Sequence, residues 1–465
     1  MKTAATLAAS ALMLGVGANA IAADGGRAAF IDTYRELVET NTTLSSGSCT
    51  LAAKRMAARL SAAGMAEENL HLFAVPEHPE EGGLVAIYPG SGAKEPILLM
   101  AHIDVVEAEA GDWKRDPFTF VQEDGFFYGR GTSDDKAQAA IWTDMLVRFA
   151  QEGYRPSRTI KVALTCGEET NGAFNGAEWL AKERRDLIDA AFALNEGGGG
   201  DLDENGKVAA QSVQVGEKIF ANFELTTRNA GGHSALPRPD NAIYQLADAL
   251  KRVEAVQFPV EFTDVTRRSF REAGAAMGGK LGAAMIALAN DPSDITADAV
   301  VSTDPFWRGN TRTTCVATTL QAGHARNALP RRAVANVNCR IFPGNEVAAI
   351  RQTLVDAIAD EVVEVTLLPP ARPSFETPPL DPVVMDPIAA MVAKWYPDAK
   401  LTVAMSNGYT DSAFTNAAGI PTYGVPGLWS GPEGTGAHGL DEHIAVDSVL
   451  TARDFLTDLV RAYAD

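Results

Sequence analysis

The sequence predicts an α/β fold, a doubly wound sheet interrupted by an inserted α+β unit, and three observations carry this. Nearly continuous apolar runs of strand length at 97–101, 160–165 and 190–194 alternate with helical stripes, as strands buried on both faces do. Each run gives way to charged groups: His102-Ile103-Asp104, Gly167-Glu168-Glu169 and Asn195-Glu196. Beyond Val215-Gly216 the pattern becomes one-sided, with Ile219, Ala221, Phe223 and Leu225 alternating, and the first style returns after six prolines within 369–382.

The 465 residues suit two or three domains, and 46% hydrophobic content is ample for full cores. A formal charge of −20 argues against nucleic acid or anionic membrane as partner, since both demand a basic face. Residues 1–23 read as a secretory signal peptide: Lys2, an Ala/Leu-rich run over 4–18, then Ala18-Asn19-Ala20. The alternative, a buried N-terminal helix, is disfavoured because the run is uncharged all round and ends in small residues. No later stretch is long and apolar enough to span a bilayer. The expected product is soluble, and periplasmic or secreted.

Four cysteines, Cys49, Cys166, Cys315 and Cys339, lack zinc-finger or redox-motif spacing. Export permits disulfides. Cys315 and Cys339 either bridge across facing strands or remain buried thiols; Cys166, at a strand end, is expected to be packed rather than nucleophilic.

In chain order, Phe30, Tyr34 and Leu37 recur at helix spacing, as do Leu51, Met56 and Leu60. Strands are expected at 83–88 and 96–106, and a hairpin over 118–128 turns at Glu123-Asp124-Gly125. Ala137, Ile141, Met145 and Phe149 mark a helix, and another lies near 177–182. In the insert, a helix over 240–255 carries Ile243, Leu246, Leu250 and Val253, and 257–310 is less regular. Strands at 313–321, 334–341 and 362–368 surround a helix with Val347, Ile350, Leu354 and Ile358. A helix over 387–395, a glycine-rich loop at 406–411, a strand at 420–425 and a terminal helix with Ala452, Phe455, Leu456, Leu459 and Tyr463 complete the chain.

Glu168-Glu169 could be a solvated pair opening a helix, where acids suit the dipole. Yet three strands in succession deliver charged groups that are costly at the end of apolar runs unless paired or bound. His102, Asp134, Glu168, Glu169, Glu196 and His438 offer two imidazoles and several carboxylates, suited to two zinc-like ions with open positions. One acid must stay off the metals as general base.

Five motifs hold these residues in order: Met100-Ala101-His102-Ile103-Asp104, Gly129-Arg130-Gly131 running on to Lys136, Gly167-Glu168-Glu169, Asn195-Glu196-Gly197 and Ala437-His438. With them the chain resembles the M20 family of metallopeptidases and amidohydrolases, which includes aminoacylases, carboxypeptidases G and S, dipeptidases and deacylases of amino-acid synthesis. The resemblance implies a zinc-exopeptidase-type catalytic domain over 24–215 and 371–465, with a lid or dimerisation domain over 216–370. It implies that His102 and Glu196 hold one ion, that Glu169 and His438 hold the other, and that Asp134 bridges. The metals implied are two zinc ions, with cobalt or manganese as substitutes. Glu168 would be the general base and then the acid, Asp104 would orient His102, and the Asp134-Asp135 peptide would be cis.

In the insert, Gly232-His233-Ser234 matches the family's lid histidine, so His233 would donate to the oxyanion, from the same or a second subunit. Asn327, Arg340 and Gly408 would bind substrate, Arg340 by gripping a carboxylate; its alternative is an ordinary salt bridge. The implied reaction is hydrolysis of an amide or peptide bond next to an amino-acid carboxylate, in a peptide or N-acyl amino acid. Rival readings are an inactive binding protein that keeps fold and metals, and an acetylornithine-like deacylase, which export disfavours. Ala413 stands where the family often carries Arg, which weakens a strict carboxypeptidase reading. The long 257–310 segment is closer to the carboxypeptidase S and aminoacylase-like branch. His71, His78, His324 and His443 lie outside the motifs and read as surface residues.

Overall fold

The computed structural model describes residues 26–170, 174–370 and 372–465; the expected signal at 1–23 lies outside them. A ten-stranded sheet runs Leu70–Val75, His78–Tyr88, Ile160–Thr165, Ile97–His102, Phe192–Asn195, Thr422–Gly424, Val208–Glu217, Gly199–Leu202, Trp429–Ser430, with Lys400–Ser406 also paired to Val208–Glu217. Four neighbouring strands at its middle, from Ile160–Thr165 to Thr422–Gly424, are mutually parallel. Their carboxyl ends therefore share one edge, the edge where open α/β sheets carry their chemistry.

Alternate residues of these strands feed two cores. Leu99, Ala101, Val162 and Leu164 meet one layer, which includes helices Arg27–Val38, Cys49–Ala62, Lys136–Glu152 and Val446–Ala464. Leu98, Met100, Ala163 and Ala193 meet the other, helices Gly176–Glu183, Arg185–Ile188 and Ser412–Ala417. With helices on both faces, both side-chain directions must be apolar, which is why the runs are continuous in sequence.

Between the two parts of this sheet lies a second, antiparallel one: Thr314–Ala322, Arg332–Ile341, Ile219–Arg228, Glu364–Leu368. Its buried face, including Ala221, Phe223, Ala335 and Val337, packs on helices Ala242–Glu254 and Val347–Ile358 through Leu246 and Leu354. Its other face carries Asn222, whose Oδ1 accepts from Asn336 and Asn338. One covered and one polar face is what the one-sided alternation demands.

Several elements differ from expectation. Residues 257–310 are not irregular but form helices Asp264–Met277, Gly279–Asn290, Ile295–Val301 and Pro305–Gly309 around Phe270, Met285, Leu288 and Val301. The first two helices touch backbone to backbone: a Cβ at Gly282 would stand 2.3 Å from the Gly274 carbonyl oxygen. Leu51 is 45% exposed; with Ser48 capping the helix at Leu51 N–H, the buried stripe runs through Ala52, Ala53, Met56 and Leu60. Ile243 is likewise exposed. The helix expected from 387 begins at Pro382, behind an Asp381 cap, where proline forfeits no helical hydrogen bond. The strand Lys400–Ser406 and the helix Ser412–Ala417 were not anticipated. The hairpin is as expected, with φ of 50° at Asp124 and 82° at Gly125 forming its two-residue turn.

All four cysteines are paired. Cys315 and Cys339 lie directly opposite in register and form a cross-strand disulfide. Cys166 is packed, as expected, and is bonded to Cys49, a pairing the spacing did not indicate, which ties the helix Cys49–Ala62 to the segment just before Glu168. Replacing Cys49 and Cys166 together by Ala removes a crosslink spanning 117 residues and should cost about 2–4 kcal/mol. The measurement is the midpoint of urea unfolding, and an unchanged midpoint would contradict the crosslink. The corresponding Cys315/Cys339 double variant, closing only 24 residues, should cost less.

Candidate metal centre

Three of the parallel strands deliver the expected side chains to one place. His102, the last residue of its strand, is buried, with Nε2 3.0 Å from Asp134 Oδ1 and 3.7 Å from Glu196 Oε2. His438 arrives on a loop from the far end of the chain; its Nε2 lies 3.0 Å from Asp134 Oδ2 and 2.9 Å from Glu169 Oε1. Asp134 thus shows one oxygen to each imidazole. Donor atoms of His102, Asp134 and Glu169, and of His102, Glu168 and Glu196, form two groups whose members lie within 4.8 Å of one another. The Asp134-Asp135 peptide is cis.

Two carboxylates fix the backbone around this cluster. Asp104 holds the His102 ring through its carbonyl, 3.1 Å from Nδ1, with its carboxylate 3.6 Å away. That carboxylate also accepts the Glu168 and Glu169 N–H groups at 3.4 and 3.0 Å, locking the turn between the two acids. Glu442, fully buried, accepts from Gly131 N–H at 2.9 Å, Ser133 N–H at 2.8 Å and Asp134 N–H at 3.1 Å, and pairs with Arg130 at 2.7 Å. It sets the loop that presents Asp134. Nothing in the motif pattern singled it out, although its place four residues beyond His438 was a usable signal.

The loop at 408–412 is tied to the same edge. Asp411 accepts from Thr165 and Asn175, Ser412 accepts from Asn195, and Thr410 donates to Glu217. Glu217 is fully buried, and burial pushes it up to about 8.

The cluster is short of positive charge. Burial, reinforced by neighbouring acids, pushes Glu168, Glu169 and Glu196 above the ordinary carboxylate range. Burial opposes the charge on His102, but Glu196, Asp104 and Asp134 outweigh it and raise its pKa well above the usual value. Asp134 and Glu169 carry His438 up to about 10. Burial would also raise Asp134, yet its bonds from both histidines pull it below the carboxylate range. Glu196 Oε1 is buried with no hydrogen-bond partner. An orphaned acceptor among crowded acids, beside two imidazoles, fits a divalent N/O-ligated cation.

The substrate-binding candidates lie apart from this cluster. His233 and Asn327 meet on a small ribbon, where Gly232–His233 pairs with Ala328–Leu329 and Ser234 N–H donates to the Asn327 carbonyl at 3.1 Å. Both are exposed, and among the described residues no hydrogen bond or ion pair joins either to the cluster. Arg340 lies opposite Phe220 in the second sheet, its guanidinium 5.4 Å from the ring centre. It has no acidic partner among the described residues, so the salt-bridge alternative is not what the structure holds. Gly408 is exposed, its N–H donating to Ser406 Oγ at 2.9 Å; Ala413 is fully buried against the second sheet's core. Of the remaining histidines, His324 is exposed while His71, His78 and His443 are half-buried.

Residues 98–462 match the model of peptidase family M20/M25/M40. The chain is 27% identical over 390 residues to N-fatty-acyl-amino acid synthase/hydrolase PM20D1 of Homo sapiens, covering 82% of this chain and 77% of that protein. It is 27% identical over 391 residues to probable carboxypeptidase S-like 2 of Dictyostelium discoideum, covering 81% and 73%. The fold is similar to that of the M20 family metallo-carboxypeptidase Sso-CP2 from Sulfolobus solfataricus, with a TM-score of 0.69 at 19% identity over 93% of this chain and 99% of that one. The chain belongs to peptidase family M20/M25/M40 and is a hydrolase of the metallopeptidase and amidohydrolase kind.

Proposed function

We propose that this protein is an exported di-zinc hydrolase that cleaves an amide or peptide bond next to an amino-acid carboxylate, in N-acyl amino acids or peptides. The observation that carries this is the status of Glu168. Asp134, Glu169 and Glu196 each face a histidine, whereas the Glu168 carboxylate, in the same cluster, has no hydrogen bond or ion pair among the described residues. A purely structural metal site has no use for such a group, which disfavours an inactive binding protein.

His102 and Glu196 would hold one cation and Glu169 and His438 the other, with Asp134 shared between them. Two divalent cations there would lower the pKa of a water and polarise the scissile carbonyl. Glu168 takes the proton from that water and hands it to the departing amine. Burial raises its proton affinity, which suits a group that must first accept and then release. His233 donates to the oxyanion. It reaches the carbonyl by closure of the inserted sheet, or from a second copy docked on the open edge Thr314–Ala322. Asn327, Arg340 and Gly408 position the substrate. The names of the relatives, a fatty-acyl-amino acid hydrolase and a carboxypeptidase S-like protein, suit this substrate class. Export is supported by the leader pattern and by two disulfides. Among the described residues no helix is long and apolar enough to cross a membrane.

Glu168→Gln should lower kcat by about 10²–10⁴-fold on N-acetylated amino acids or dipeptides while both zinc equivalents stay bound by metal analysis; full activity in that variant would sink the assignment. Dialysis against a chelator should abolish turnover and lower the melting temperature, and zinc should restore both. Glu442→Gln should weaken metal affinity by about 10–100-fold, read by competition with a chromophoric chelator, with the far-UV circular dichroism unchanged.

A further inference from the structure

Arg372 sits in the proline-rich return from the insert to the main sheet and is only 5% exposed. Its guanidinium lies 5.2 Å from the centre of the Phe220 ring, 4.5 Å from Tyr409 and 5.4 Å from Phe414. Among the described residues it makes no hydrogen bond and no ion pair. Its Nε is buried without a partner, whereas the terminal nitrogens, equally unbonded, are not sealed off. Arg340 overlooks the same Phe220 ring at 5.4 Å, also with no acid. The neighbouring buried acids are already committed, Glu217 to Thr410 and Gln214, Asp411 to Thr165 and Asn175.

These rings are tied to the edge that carries the candidate site, because Asp411, two residues beyond Tyr409, accepts from Thr165 and Asn175. The Tyr409 hydroxyl is buried without a hydrogen-bond partner, and it feels the charges of Arg372, Asp411, Glu217 and Glu168 together. A buried guanidinium is expensive to desolvate, and contacts with ring faces offset only part of that cost. A structural stack would explain the three rings. It would not explain an orphaned Nε and unbonded terminal nitrogens beside a second unneutralised arginine. Guanidiniums free on their forked edge are suited to a carboxylate.

We propose that Arg372 is a specificity-determining residue that grips the carboxylate of the substrate's amino-acid part together with Arg340, supplying from the return segment the contact that Ala413 cannot make. The substrate class is that of the function proposed above, and the inference rests on that reading. The anchor is a separate claim from the hydrolytic machinery, so the two can fail separately.

The test uses the full-length, zinc-loaded protein with N-acetyl-L-leucine and its carboxamide, N-acetyl-L-leucinamide. Arg372→Met, which keeps the apolar stem, should lower kcat/KM for the acid on the order of 100-fold, chiefly through KM, and leave the carboxamide unchanged. Equal losses on both substrates would overturn the anchor, as would a loss confined to N-acetyl-L-glutamate, which would assign Arg372 to a side-chain carboxylate. Arg372→Lys, keeping the charge without the fork, should fall between, and guanidinium ion should partly restore Arg372→Ala. Calorimetric binding of N-acetyl-L-leucine to Glu168→Gln, with and without Arg372→Met, reads the anchor without turnover. If wild type hydrolyses neither compound yet binding is lost with Arg372, the hydrolase reading fails and the anchor stands; if binding is equal in both, the anchor fails.

Discussion

Repulsion among carboxylates gathered at one edge of four parallel strands is the constraint on which the rest of this structure depends. Glu168, Glu169, Glu196 and Asp134 are brought within reach of one another in a largely buried space, where like charges cannot simply be shed into water. Two histidines relieve part of the strain, one buried at a strand end and the other carried in by a loop. The remaining deficit of positive charge is what makes the cluster a place for divalent cations. Fold and chemistry are joined at this point: the parallel arrangement aligns the strand ends, and the alignment creates the electrostatic problem that a divalent cation would resolve.

A cluster so charged keeps its shape only because acids that do not face the centre hold the backbone. Asp104 locks the turn between Glu168 and Glu169, Glu442 gathers the N–H groups around Asp134, and Asp411 ties its loop to Thr165 and Asn175. Each carboxylate is satisfied by several donors, so its burial is tolerable. The division between acids that face the centre of the cluster and acids that face the main chain explains how one small region accommodates so many negative groups.

Much of this was legible in the sequence, for physical reasons. A strand covered on both faces must be apolar throughout, so the central strands and their abrupt charged ends stand out, and with them His102, Glu168, Glu169 and Glu196. The terminal helix was equally visible because its buried stripe is built from large side chains. What escaped notice relies on signals that are not periodic. The helices between 264 and 309 build a small core of their own around Phe270, Met285 and Leu288, and the first two meet at Gly274 and Gly282, a backbone contact that side-chain spacing does not report. Glu442 acts through main-chain hydrogen bonds that no spacing rule reports. The Cys49–Cys166 partnership joins two residues whose proximity exists only once strand and helix have packed.

The placement of Glu442 also bears on how the protein is made. The ribosome releases residues 130–134 long before it reaches His438 and Glu442. Until the stretch bearing His438 and Glu442 emerges, the loop bearing Asp134 has no clamp and the second imidazole has not arrived. A nascent chain therefore carries an unassembled His102–Asp134–His438 cluster until Glu442 has emerged.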